Sequence, residues 1–210
     1  MWVPALWRRK RVRHFDNGEP HFLTFSCFRR LPLLSKDRTR NWFVEAVDAA
    51  REKHRFHLWA WVIMPEHVHL LIWPPAAQID PDPKSTTGKT SGILADIKRP
   101  VGQRAIQYFE DHSPKYLGRL TVQNRNRTYR RFWQAGSGFD ENVAEVGAMH
   151  EIIAYIHSNP VHRKLVPRAE DWKWPSACDW SSDTIDPVIR IDRTLPATLE
   201  IPWNKRRSEF

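Results

Sequence analysis

His67-Val68-His69 places two imidazoles two positions apart, in a run that reads as a strand. Side chains of a strand alternate, so both rings point to one face while Val68, Leu70 and Ile72 point to the other. Two imidazoles held parallel on a rigid strand can ligate one divalent ion and leave positions open for a phosphate and water. A second pair is Tyr155 and Asn159. Four helical residues bring them within about 40° of each other, beside an apolar stripe of Met149, Ile152, Ile153 and Ile156. A phenol and a carboxamide then project together from the edge of a buried face. The residue types alone leave an ordinary reading open for both pairs: satisfied structural histidines, and a rim tyrosine with a helix-terminal asparagine.

The elements that must position these groups follow from periodicity. Residues 20–28 (PHFLTFSCF) alternate as a half-buried strand does. Residues 37–54 place Trp42, Phe43, Val47 and Ala50 at helical spacing, with Asp37 as the expected N-cap. Residues 56–63 and 67–73 read as two strands joined by Met64-Pro65-Glu66, a hairpin-length turn. Residues 74–92 are rich in Pro, Gly, Ser, Thr and Asp and read as a mobile surface loop. A basic helix is predicted over 93–112, with Pro100 near its start or at a kink. Polar turns then fill 113–131, a short apolar element begins at Phe132-Trp133-Gln134, and Gly136-Ser137-Gly138 opens a loop. The last helix is predicted over 143–159, stopped because proline disfavours helical geometry in the residue before it. The order predicts an α+β layer fold, an antiparallel sheet covered by helices.

Positive charge points to the partner. The net charge is +9 with a sequence pI of about 9.9, which attracts polyanions. Nine of the 33 Lys/Arg lie between Lys98 and Arg131, against only Glu110 and Asp111. Further clusters are Arg8, Arg9, Lys10, Arg11 and Arg13, and Lys205, Arg206 and Arg207. Each alone is an ordinary solvated face; three around one domain form a footprint for a phosphate backbone. No basic amphipathic helix with a clean apolar face suggests a membrane instead. Apolar residues at 41% allow a packed core. Cys27 and Cys178 are too few for a disulfide framework or a zinc site, and no signal-peptide or membrane-length apolar run is present. A cytoplasmic protein close to the nucleoid is expected.

The run WVIMPEHVHLLIWP resembles the HUH-motif region of single-tyrosine transposases, and FWQ…AYIHSNPVHRKLV resembles their tyrosine-helix region. The likeness is greatest to the REP-associated tyrosine transposases, spans about residues 18–180, and keeps the two signatures in order, with Trp172-Lys-Trp174-Pro-Ser176 downstream. It implies a ferredoxin-like or RRM-like antiparallel sheet with helices packed on it. It implies His67 and His69 as metal ligands, Asn159 as a third polar ligand, Tyr155 as nucleophile, and Mg²⁺ or Mn²⁺ as the ion. The implied organisation is a basic arm over 1–17, a catalytic domain over 18–180 and a tail over 181–210. The implied activity is cleavage and rejoining of single-stranded, hairpin-containing DNA through a 5′-phosphotyrosine, by a monomer or a homodimer.

Lys98, Arg99, Arg104, Arg125, Arg127, Arg130 and Arg131 are the expected phosphate contacts. Trp172, Trp174 and Trp180 could stack on bases, but as large aromatics they are expected to pin the C-terminal segment to the domain. Glu66, His150 and His157 are expected to be ordinary surface residues, leaving the general base unassigned. Phe139 stands where the family usually has tyrosine, so a hydrogen-bonding role there is in doubt. The 74–92 loop is longer than a hairpin return needs. Two rival classes remain: a non-catalytic binder of structured or single-stranded nucleic acid, and a metal-dependent hydrolase with no covalent step.

Overall fold

The computed structural model describes residues 18–124, 127–181 and 188–195. The basic arm at 1–17, Arg125, the 205–207 cluster and most of the 181–210 tail lie outside the described residues. In chain order come β1 (His21–Ser26), α1 (Asp37–His54), β2 (His57–Ile63), β3 (His67–Trp73), α2 (Thr90–His112) and α3 (Pro114–Leu120). These are followed by β4 (Thr121–Asn124), β5 (Arg127–Arg130), β6 (Phe139–Asn142), α4 (Val146–His162) and α5 (Ala177–Ser181).

Four strands form one sheet in the order β2-β3-β1-β6, antiparallel at each pairing. With α1 joining β1 to β2 and α2 lying between β3 and β6, this is the split β-α-β-β-α-β arrangement of ferredoxin-like folds. The predicted α+β class and its antiparallel sheet with helices packed on it are therefore found. β4 and β5 make a separate two-stranded hairpin.

Strand alternation sorts the core into two layers. Leu23, Phe25, Val68, Leu70 and Ile72 are buried on one face with Phe43 and Val47 of α1 and Ile97 and Val101 of α2. Phe22, Val62 and Leu71 are buried on the other with the Met149, Ile152, Ile153 and Ile156 stripe of α4. The sheet is thus roofed on both sides, and the face bearing His67 and His69 belongs to α4.

The outer edge of β2 is capped by the C-terminal segment. Ile63 N–H donates to the Trp174 carbonyl (2.9 Å) and Ser176 N–H to the Trp61 carbonyl (2.9 Å). Trp174 is buried, the Trp172 indole donates to the Ile63 carbonyl (3.1 Å), and the Trp180 indole donates to the Trp59 carbonyl (2.8 Å). These tryptophans hold the segment against a strand edge that would otherwise be open to another chain.

Several boundaries differ from expectation for identifiable reasons. Lys36, not Asp37, occupies the N-cap of α1, and Asp37 sits in the first turn, where its carboxylate receives Lys173. α2 begins at Thr90 and keeps Pro100 inside it. The turn ahead of that proline is tied down where the Trp133 indole donates to the Lys98 carbonyl (2.8 Å). The 113–131 stretch is not turns alone: α3 and the β4–β5 hairpin form there. β6 follows the Gly136–Gly138 turn, pairing with β1 although its sequence, FDEN, carries one apolar residue. α4 passes through Asn159-Pro160 to His162, because proline costs least in a last turn whose downstream amides find other carbonyls. There Arg163 N–H donates to Asn159 and Leu165 N–H to Pro160.

The 74–92 segment has a short turn of helix at 76–78, and Gly88 N–H donates to Nδ1 of buried His54 (3.0 Å). Among the described residues, no helix is long and apolar enough to cross a membrane.

Candidate active site

β3 and α4 bring the two sequence-predicted pairs together. The Nε2 atoms of His67 and His69 lie 3.1 Å apart, and the Asn159 side-chain nitrogen lies 3.2 Å from Nε2 of His69. Asn159 also hydrogen-bonds the Tyr155 hydroxyl, favouring the phenolate, while burial works the other way and raises the phenol above its ordinary value. The Tyr155 ring meets His69 edge-on at 5.4 Å and Phe22 at 6.1 Å. His67, His69 and Asn159 are buried and Tyr155 is partly exposed. An apolar stripe on α4 and the alternation of β3 thus suffice to place four polar side chains at one point.

The tautomers follow from the partners behind the rings. Nδ1 of His67 donates to the Glu66 carboxylate (3.3 Å), and Nδ1 of His69 contacts the Thr24 hydroxyl (2.6 Å). A carboxylate only accepts, so His67 carries a proton on Nδ1, and in the neutral ring the lone pair is on Nε2. The Asn159 amide donating to Nε2 of His69 sets the same tautomer there. Two imidazole lone pairs therefore face each other at 3.1 Å. Burial holds His69 well below the usual histidine value, so a second proton is disfavoured.

Oδ1 of Asn159 is buried without a hydrogen-bond partner. Half a turn of the carboxamide exchanges oxygen for nitrogen and turns a third lone pair toward His69. Two lone-pair nitrogens and an orphaned amide oxygen are a donor set that a divalent ion satisfies. Ligands at about 2.1 Å and right angles sit about 3 Å from one another. His67, His69 and Asn159 would hold the ion. Among the described residues, no group of three or more His, Cys, Asp and Glu forms an alternative site.

Glu66 is not the surface residue expected from strand alternation. It is buried at the hairpin turn, where its carboxylate also receives Arg163 at 2.5 Å. The His67 hydrogen bond, aided by Arg163, keeps its carboxyl below the ordinary range. His157 departs as well: it donates to or accepts from the Ser176 hydroxyl at 2.9 Å, and burial lowers its value to about 4. His150 is exposed, as expected. Phe139 packs edge-on against Phe22 at 5.9 Å on the site's side of the sheet.

Two basic residues near the site carried no sequence signal. Arg163 caps the tyrosine helix with its side chain half exposed. Arg30 is left-handed (φ 52°) beside left-handed Arg29 (φ 54°), and its charge reaches His69. Consecutive left-handed arginines are a strained turn that a glycine search would have passed over.

The expected phosphate contacts divide. Lys98, Arg99 and Arg130 line a groove of about 1270 Å³ between α2, β5 and residues 132–137. Arg104 turns away, paired with Glu45 and lying over the Trp42 ring at 5.1 Å. Arg127 is exposed on the hairpin, and Arg131 stacks on Tyr129 at 4.8 Å.

Site and fold together define a split β-α-β-β-α-β domain with a paired-histidine strand facing a tyrosine helix. No protein-family model matches the sequence, nor does any curated protein. Among solved structures, the chain is similar to a REP-associated tyrosine transposase bound to a REP hairpin, at 19% identity and a TM-score of 0.58. The match covers 92% of this chain and 98% of that one, so the likeness of fold is end to end. A candidate transposase from Deinococcus radiodurans R1 matches at 17% identity and a TM-score of 0.41, covering 70% of this chain and 95% of that one.

Proposed function

We propose that this chain is a single-tyrosine DNA transposase of the REP-associated kind, cleaving and rejoining single-stranded, hairpin-bearing DNA with a divalent metal. The observation that carries the reading is the convergence of His67, His69, Asn159 and Tyr155 at one point, with the two imidazole Nε2 atoms 3.1 Å apart. A binding module has no use for that arrangement. The end-to-end likeness of fold to a transposase holding a REP hairpin supports the choice of substrate.

Tyr155 is the nucleophile. Its oxygen attacks phosphorus, the P–O3′ bond breaks, and a 5′-phosphotyrosine and a free 3′-hydroxyl result. Attack by another 3′-hydroxyl restores a phosphodiester and releases the tyrosine, which plain hydrolysis would not allow. Asn159 orients the phenol, and Glu66 and Thr24 fix the imidazoles from behind. Held by His67, His69 and Asn159, Mg²⁺ or Mn²⁺ would supply positive charge to the non-bridging oxygens. Lys98, Arg99 and Arg130 contact phosphates, and the protein works in the cytoplasm on nucleoid DNA.

The test uses 5′- and 3′-labelled single-stranded hairpin oligonucleotides with Mn²⁺, resolved on a denaturing protein gel beside Tyr155→Phe. A label that migrates with the wild-type protein alone supports the covalent step. Cleavage that survives in Tyr155→Phe points to a hydrolase. Tight binding with neither adduct nor cleavage points to a binding module.

A further inference from the structure

β1 runs into a turn whose backbone is strained and whose charge is unpaired. Arg29 (φ 54°, ψ 24°) and Arg30 (φ 52°) are both left-handed, a conformation that glycine adopts freely and arginine does not. The turn is nonetheless held from three sides. Cys27 N–H donates to the Glu66 carbonyl (2.8 Å), Phe28 N–H to the Phe132 carbonyl (2.8 Å), and Arg29 N–H to Oε1 of Gln134 (3.3 Å). Backbone strain that the surroundings enforce is concentrated where a side chain has to be aimed.

The turn stands beside the histidines. β1 and β3 pair Thr24 with His69 and Ser26 with His67, so the chain leaves β1 just past the partner of His67. Arg30 is exposed, and its charge reaches His69. Among the described residues its guanidinium has no hydrogen bond, ion pair or ring to hold it. Arg29 differs, with its guanidinium over the Phe28 ring at 4.9 Å.

Charge at the site does not balance. Asn159 is uncharged, and burial favours the uncharged forms of Tyr155 and His69. Glu66, the acid at the site, is already matched by Arg163. Arg30 is therefore a surplus cation. An exposed arginine is usually solvated surface, but solvation gives no reason for a turn that forces arginine into the left-handed region beside a buried polar site. An anion on the site gives one, and a planar guanidinium suits phosphate oxygens in particular.

We propose that Arg30 donates to a non-bridging oxygen of the scissile phosphate and stabilises the charge that gathers there during transfer. The proposal deepens the transposase reading and rests on it. In the step that Arg30 serves, the phenolic proton of Tyr155 passes to water and the bond from the Tyr155 oxygen to phosphorus forms. The P–O3′ bond breaks with its electron pair on O3′, which takes a proton from water. Phenolate and diester each bring a negative charge, so the transition state carries more charge than the bound phosphate did, and a fixed guanidinium opposes that rise.

Arg30→Gly suits the left-handed backbone, so it should melt at or above wild type. At saturating hairpin DNA with Mn²⁺ it should form the phosphotyrosine adduct about 100-fold more slowly in a single turnover. Arg29→Gly relieves the same turn and should keep the wild-type rate to within about twofold. Phosphorothioates of each configuration at the scissile phosphate then separate contact from structure. The configuration that replaces the oxygen held by Arg30 should slow wild type about tenfold and Arg30→Gly less than about twofold, because the contact is already gone. Equal slowing in Arg29→Gly, or the same phosphorothioate effects with and without Arg30, would overturn the proposal. Weaker DNA binding with an unchanged adduct rate at saturation would also overturn it, by moving Arg30 to another phosphate. If Arg30→Gly melts well below wild type, Arg30→Gln decides by the same phosphorothioate comparison. A wild-type adduct that Arg30→Gly forms equally fast defeats the Arg30 contact alone, whereas no adduct in wild type defeats the transposase reading and this contact with it.

Discussion

Arg163 donates to the Glu66 carboxylate at 2.5 Å across 97 positions of chain, while that carboxylate holds Nδ1 of His67. One buried carboxylate therefore joins the histidine strand to the end of the tyrosine helix. Partners behind an imidazole set its tautomer and basicity, and losing one costs roughly 10–100-fold in metal affinity. Glu66→Gln should weaken Mn²⁺ binding, read by isothermal titration calorimetry, by that factor. Arg163→Ala leaves the His67 contact in place, so Mn²⁺ affinity should fall less while the adduct forms more slowly. Unchanged Mn²⁺ affinity in Glu66→Gln would reduce the carboxylate to a structural clamp.

Asn159 sets function against stability. A buried polar atom without a partner costs about 1–3 kcal/mol, and Oδ1 of Asn159 is such an atom. Asn159→Leu has nearly the same shape and removes that cost together with the amide's bonds to His69 and Tyr155. Without metal its melting temperature should stay close to wild type, because Nε2 of His69 loses its donor as the orphaned oxygen is removed. Saturating Mn²⁺ at about 100 times Kd stabilises a one-site protein by about 2.7 kcal/mol, and the variant should lose most of that gain along with its adduct. A variant that melts well below wild type in EDTA would show that the amide is held for packing.

The fold was legible wherever periodicity was strong. Alternation in β3 told which way His67 and His69 point, and the four-residue stripe of α4 placed Tyr155 beside Asn159. What escaped were features set by contacts distant in sequence. β6 has one apolar residue in four and exists because β1 offers it an edge. Glu66 looked exposed because the strand was assumed to be regular up to it; it lies in the turn, free to swing toward Arg163. Arg104 shares a helix with Lys98, and only the packing of α1 on α2 shows that it faces Glu45. The β4–β5 hairpin was hidden in a stretch whose polar residues read as turns.

The division of the basic residues should appear in salt dependence. Removing one Lys or Arg from a DNA phosphate lowers the slope of log affinity against log salt by about 1. Lys98→Ala and Arg99→Ala, both in the groove wall, should each reduce the slope for a single-strand substrate by about that amount. Arg104→Ala, paired with Glu45 on the α1 side, should leave it unchanged. Filter-binding titrations from 50 to 300 mM salt, roughly the range where such slopes are linear, make the comparison. A slope change in Arg104→Ala equal to that of Lys98→Ala would mean that DNA also crosses α1.

His157 makes stability depend on pH in a defined window. Burial lowers its folded value to about 4 from an ordinary 6.5, so the folded state resists the proton that the unfolded chain accepts. Between those values the unfolded state binds more protons, and stability rises with pH. The contribution is fully present above about pH 6.5 and is lost as pH falls toward 4. It amounts to roughly 3 kcal/mol at 1.36 kcal/mol per unit. His69, also held low by burial, acts in the same direction. Urea unfolding at about pH 7 and about pH 4.5 should show a marked loss of stability in wild type. His157→Gln can still bond the Ser176 hydroxyl but does not titrate, so its loss between the two pH values should be smaller by about 2–3 kcal/mol. Equal losses in the two proteins would place the acid sensitivity elsewhere, with His69 the first residue to substitute.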